Sequence, residues 1–135
     1  MKAAVLNDFG SVAQFSLQTV PDPTIQSNEV LIQTKAVSIN PVETIIRAGH
    51  AFTEAYEGLE YKILGWDVSG VVTQVGADVN NLQVGDEVFG MVKFPRPASA
   101  YAEYVAAPEN ELTKKPDNIS HEEADGATIA ALKDY

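Results

Sequence analysis

The sequence predicts a mainly β domain, a barrel or a sandwich of short strands, on three observations. Short alternating or β-branched runs recur along most of the 135 residues. Glycine, proline, asparagine and aspartate punctuate them at the close spacing that barrels and sandwiches use. Helix-start chemistry is confined to two stretches, one mid-chain and one near the C-terminus.

Lys2 to Leu6 reads as the first strand, and Asn7-Asp8-Phe9-Gly10-Ser11 as the turn that ends it. Gln14 to Val20 follows and stops at Pro21-Asp22-Pro23, where proline removes a ladder donor. Glu29 to Ile39 is the third strand. Asn40-Pro41-Val42-Glu43 then places a cap residue, a proline at the first helical position and a glutamate three after the cap, predicting a short helix near 41–49 that ends at Gly49. Val68 to Val75, interrupted by Gly70, Glu87 to Val92, and Tyr101 to Ala106 are further strands. Gly85-Asp86 is a turn before the second of these, and Phe94-Pro95-Arg96-Pro97 a loop after it. Ser120-His121-Glu122-Glu123 is a second capping box, predicting a helix near 120–132. Ala124, Ala127, Thr128 and Ala131 give that helix a small-residue face, which Ile129 and Leu132 extend, and it is expected to support a homodimer.

Hydrophobic residues at 45% and charged residues at 21% suit a folded domain rather than a disordered one. Nine Lys and Arg stand against nineteen Asp and Glu, a formal charge of −10. That sign repels phosphate backbones and anionic lipid, so neither nucleic acid nor a membrane surface is an expected partner. Cysteine is absent, which excludes disulfides, thiolate metal sites and a cysteine nucleophile. The two histidines, His50 and His121, are far apart in sequence, which disfavours a histidine-rich metal site. Neither a signal peptide nor a spanning helix is legible, and a cytoplasmic protein is expected.

Gly65-Trp66-Asp67-Val68-Ser69-Gly70-Val71-Val72-Thr73-Gln74-Val75-Gly76, followed by Val84-Gly85-Asp86-Glu87-Val88, reads on its own as a glycine-bounded β unit. As a string it resembles the Gly-His-Glu-x-x-Gly and Gly-Asp-x-Val signatures of the medium-chain dehydrogenase/reductase superfamily. Pro21-Asp22-Pro23, Glu29-Val30-Leu31, Asn40-Pro41-Val42-Glu43, Arg47-Ala48-Gly49 and Tyr101-Ala102-Glu103-Tyr104-Val105 stand in the order the superfamily keeps. Nearly the whole chain is covered. The resemblance implies a GroES-like, partly open β-barrel over residues 1–135, the N-terminal domain of such enzymes, with the nucleotide-binding domain absent from these residues.

The nearest pattern is that of zinc-independent quinone oxidoreductases and alcohol dehydrogenase-like proteins. In the zinc enzymes the position of Asn40 is a ligand cysteine and that of Trp66 the ligand histidine; here both are non-ligands. No zinc is therefore expected. The resemblance names Asn40, Trp66, Glu43, Asp67 and Arg47 as substrate-cleft candidates, with Asn40 also a cofactor contact in full-length relatives. Each has a plainer reading. Asn40 and Glu43 are explained by the capping box, Trp66 by a core aromatic, Asp67 by a turn or strand-edge carboxylate, and Arg47 by the helix dipole, which favours a cation in the last turn.

The implied chemistry is NADPH-dependent reduction of a small quinone or conjugated carbonyl by direct hydride transfer. No glycine-rich loop opens a helix after a strand, so tight NADPH binding by these residues alone is not expected. Lys133 stands where relatives carry threonine near the cofactor. The expected function is the substrate-side domain of an NAD(P)H-dependent reductase, inactive alone; the alternative is a binding module that keeps the fold without chemistry.

Overall fold

The protein is described by a computed structural model over residues 1–124. It is mainly β and built on two antiparallel sheets. β1 (Lys2–Leu6) pairs with β2 (Phe15–Thr19), Lys2 facing Thr19 and Leu6 facing Phe15. A 3-10 turn at Val12–Gln14, started by the Ser11 hydroxyl accepting the Ala13 N–H, brings the chain back. The larger sheet contains β3 (Glu29–Ala36), β4 (Asp67–Val75), β5 (Glu87–Met91), β6 (Tyr104–Pro108) and β7 (Thr113–Lys114), in the order β6-β3-β4-β5-β7. Isolated bridges Ala3–Ala102 and Leu6–Lys62 tie the small sheet to the rest without closing a continuous ladder. The barrel stays partly open.

The core follows from the alternation of β-branched residues. Val30 and Ile32 on β3, Val68 and Val72 on β4, and Val88 on β5 turn inward beside Trp66. Gly70 is required by a close approach: a Cβ there would lie 2.1 Å from the Gln33 carbonyl oxygen on the neighbouring strand. Two bulges interrupt the β3–β4 register, one between Leu31 and Ile32 and one between Thr34 and Ala36. The second bends the end of β3 toward the start of β4, where the candidate site lies.

Helix α1 (Pro41–Arg47) starts at the predicted cap and stops two residues before Gly49, with Ala48 closing it. The third strand ends at Ala36 rather than Ile39, because Ser38 and Asn40 turn their side chains to Asp67. The last predicted strand begins at Tyr104 rather than Tyr101. The Tyr101 carbonyl accepts from Ala4 on β1, so this segment serves the small sheet before β6 joins β3. A five-residue helix α2 (Thr53–Glu57) and the two-residue β7 were not predicted.

The second capping box forms: the Ser120 hydroxyl accepts the Glu123 N–H at 3.0 Å and Glu123 accepts the Ser120 N–H at 3.2 Å, with residues 121–124 helical. The remainder of the predicted 120–132 helix, its small-residue face, the homodimer built on it, and Lys133 lie outside the described residues. Among the described residues no helix is long and apolar enough to cross a membrane.

Candidate functional site

The loop between β3 and α1, the first turn of α1 and the entry to β4 meet at Asp67. Asn40 is fixed by local chemistry: Pro41 cannot donate, so the helix begins with Asn40 in an extended conformation. Its backbone N–H donates to Glu43 Oε2 at 2.5 Å, closing the capping box. Its side-chain amide donates to Asp67 Oδ2 at 3.0 Å, and the Ser38 hydroxyl donates to the same oxygen at 2.7 Å. Asn40 thus joins two carboxyl groups that are 24 positions apart in the chain.

Both carboxyls are almost fully enclosed, Glu43 at 2% exposure and Asp67 at 1%. Burial raises the Asp67 pKa above the ordinary carboxylate range, against the lowering effect of the Ser38 and Asn40 bonds. Burial also raises that of Glu43; the Asn40 bonds oppose it and the Asp67 charge adds to it. Tyr56, from α2, is wholly buried and its phenol is pushed up to about 12 by burial and by the Glu43 charge. Among the described residues Glu43 Oε1, Asp67 Oδ1 and Tyr56 Oη have no hydrogen-bond partner.

Trp66 precedes Asp67 and is wholly enclosed. Its indole N–H donates to the Arg96 carbonyl at 2.7 Å, and its ring meets Phe94 edge-on at 5.0 Å between centroids. Phe52 packs edge-on against both at 6.4 and 6.3 Å, held in a left-handed backbone conformation (φ 56°). Phe52 and Phe94 remain substantially exposed, so the aromatic trio presents a surface although Trp66 itself does not. Gly65, at φ 100°, makes the tight entry the sequence predicts, and a Cβ there would meet the Tyr101 ring at 2.7 Å.

Arg47 is bonded elsewhere. Its guanidinium donates to the Gly10 carbonyl at 2.5 Å and its carbonyl accepts the Gly10 N–H at 2.6 Å, stapling α1 to the β1–β2 connection. Arg47 and Glu43 line a cavity of about 150 Å³ with Ile39, Leu64 and Tyr101. An apolar groove of about 400 Å³ lies beyond Ile39, lined by Ala4, Leu17, Val37 and Tyr101. The structure therefore brings Asn40, Glu43 and Asp67 together, packs Trp66 in the core against Phe52 and Phe94, and gives Arg47 a backbone partner elsewhere. Sequence reasoning missed Ser38, Tyr56, Phe52 and Phe94. None of the four carried a local signal; Ser38 acts through Asp67, far along the chain.

The groups at the two ligand-equivalent positions do not suit a metal. The Asn40 amide nitrogen and the Trp66 indole nitrogen are both engaged as hydrogen-bond donors. His121 is committed to Ser69 and Glu87. Among the described residues a dinucleotide fits no better. The positive-φ glycines Gly10, Gly49, Gly65 and Gly85 sit in turns and strand entries, and none opens an α-helix directly after a strand to cradle a pyrophosphate.

Residues 26–117 match the alcohol dehydrogenase GroES-like domain. The chain is 36% identical over 136 residues to an NADPH-dependent alkenal/one oxidoreductase, chloroplastic, of Arabidopsis thaliana, covering 96% of this chain and 35% of that protein. It is 36% identical over 141 residues to a 2-methylene-furan-3-one reductase of Solanum lycopersicum, covering all of this chain and 36% of that one. Its backbone superposes on the quinone oxidoreductase from Coxiella burnetii with a TM-score of 0.93 at 34% identity, over 98% of this chain and 42% of that structure. The chain spans about a third of the length of the curated relatives it matches.

Proposed function

The chain belongs to the alcohol dehydrogenase GroES-like domain family, and from that premise we propose that it is the substrate-side domain of an NAD(P)H-dependent reductase of quinones or conjugated carbonyls. The observation that carries this reading is the joint likeness, in sequence and in backbone, to a quinone oxidoreductase over 98% of the chain. In the proposed cleft Asn40 is the polar anchor, its amide oriented by Asp67 and its loop fixed by Glu43. Phe52 and Phe94, supported from beneath by Trp66, offer exposed ring faces and edges suited to a planar conjugated substrate. Arg47 is a structural staple in this reading rather than a substrate contact.

The nicotinamide cofactor supplies hydride, and it is held outside the residues described. Among the described residues none forms a cradle for its pyrophosphate, which supports the reading that residues 1–135 alone do not turn over as a reductase. The reaction proceeds without zinc, a reading supported by the donor roles of Asn40 and Trp66 at the ligand-equivalent positions.

A titration of the isotope-labelled chain with a water-soluble quinone and with a conjugated enone, followed by NMR, tests the cleft. Perturbations centred on Ile39, Asn40 and Phe94 are expected. Saturable perturbations confined to a different face would overturn the assignment.

A further inference from the structure

We propose that Glu43 and Asp67 form a proton-binding site, two buried carboxyl groups that Asn40 joins and that hold one proton between them at neutral pH. Two ionised carboxylates in this setting would be expensive. Each is enclosed at or below 2% exposure, and among the described residues neither forms an ion pair with Lys or Arg. The cation of the same helix, Arg47, gives its guanidinium to the Gly10 carbonyl instead.

The hydrogen bonds divide unevenly. Glu43 Oε2 accepts from the Asn40 backbone, and Asp67 Oδ2 accepts from the Asn40 amide and the Ser38 hydroxyl. The other oxygen of each, Glu43 Oε1 and Asp67 Oδ1, is buried and unpartnered, as is Tyr56 Oη. The two orphaned carboxyl oxygens lack donors, since an ionised carboxylate only accepts. Protonating one carboxyl supplies a donor and removes a buried charge in one step. Tyr56, pushed up to about 12, keeps its own proton at neutral pH and adds no charge to the site. Burial raises both carboxyls, and the Asp67 charge raises Glu43 further, as two acids compelled to share a site require.

The groups facing the pair from each element are Tyr56 on α2, Ser38 and Asn40 on the loop after β3, Arg47 one turn along α1, and Tyr101 across the cavity that Glu43 lines. The sign of the pH effect follows from the raised pKa values. Between the unfolded carboxylate range, near pH 4, and the raised folded value, the folded chain binds more protons than the unfolded one. The contribution of this pair to stability is therefore fully present at low pH and is lost as pH rises through the folded value.

Infrared difference spectroscopy on the full chain at neutral pH reads the proton directly. The wild type is expected to show the C=O stretch of one protonated, solvent-shielded carboxylic acid that shifts in D2O. That band is expected to disappear in the double variant Glu43→Gln/Asp67→Asn. Should the double variant fail to fold, the band is assigned in the wild type by selective 13C labelling of glutamate and then of aspartate, a label shift in either one supporting the site. A wild-type spectrum in which every Glu and Asp carboxyl is ionised at neutral pH, with or without a bound monovalent cation, overturns the proposal. So does a band that survives the double substitution.

Discussion

Trp66 fills the core and donates its indole N–H to the Arg96 carbonyl at 2.7 Å. Trp66→Phe keeps most of the apolar volume and removes that donor, so a loss of about 1–2 kcal/mol in urea unfolding is expected. Trp66→Ala also opens a cavity beneath Phe52 and Phe94 and is expected to cost about 3–5 kcal/mol. Gly70→Ala forces a methyl to within 2.1 Å of the Gln33 carbonyl oxygen, and separation of β3 from β4 should lower stability by about 1–3 kcal/mol in the same experiment. At this scale the sequence was readable where chemistry is local. The cap at Asn40, its reciprocal Glu43 and the need for Gly65 follow from neighbours a few positions away. Ser38 and Tyr56 were not readable as site residues, because their importance comes from Asp67, 29 positions beyond Ser38, and from burial beside Glu43.

Helix α1 is too short to hold itself and depends on its ends. Its start is fixed by the Asn40–Glu43 box, its finish by the Arg47–Gly10 pair of bonds. Arg47→Ala removes the side-chain half of that staple, and a loss of about 1–2 kcal/mol is expected. Hydrogen exchange at the Gly10 amide, which donates to the Arg47 carbonyl, should quicken more than exchange at Val30 or Ile32 in the core; equal protection in both proteins would argue that the staple carries no load. The strands were legible as elements because β-branched residues alternate and glycine or proline ends each run. Their ends were less so. Where β6 begins depends on whether Tyr101 serves β1 or β3, a tertiary choice invisible in the local pattern. Helix α2 follows Phe52, which caps it in a left-handed conformation with no side-chain hydrogen bond to announce the start.

The described residues form a partly open barrel, and the order of motifs along the chain made that fold legible; the site proposed at the loop from β3 to α1 rests on the same resemblance. The described glycines serve turns and close strand approaches. NADPH titrated into the chain, followed by nicotinamide fluorescence, is expected to show no saturable binding at micromolar concentrations; a tight site would contradict the division of labour proposed here. The most direct test exchanges domains. The TM-score of 0.93 makes the quinone oxidoreductase from Coxiella burnetii a suitable host, with this chain replacing its matching domain. Steady-state oxidation of NADPH by a quinone and by a conjugated enone is then compared between the chimera and the chain alone. Turnover by the chimera, lost or strongly reduced on Asn40→Ala, with none by the chain alone, is the predicted result. A folded chimera that binds NADPH yet reduces neither substrate would contradict the account.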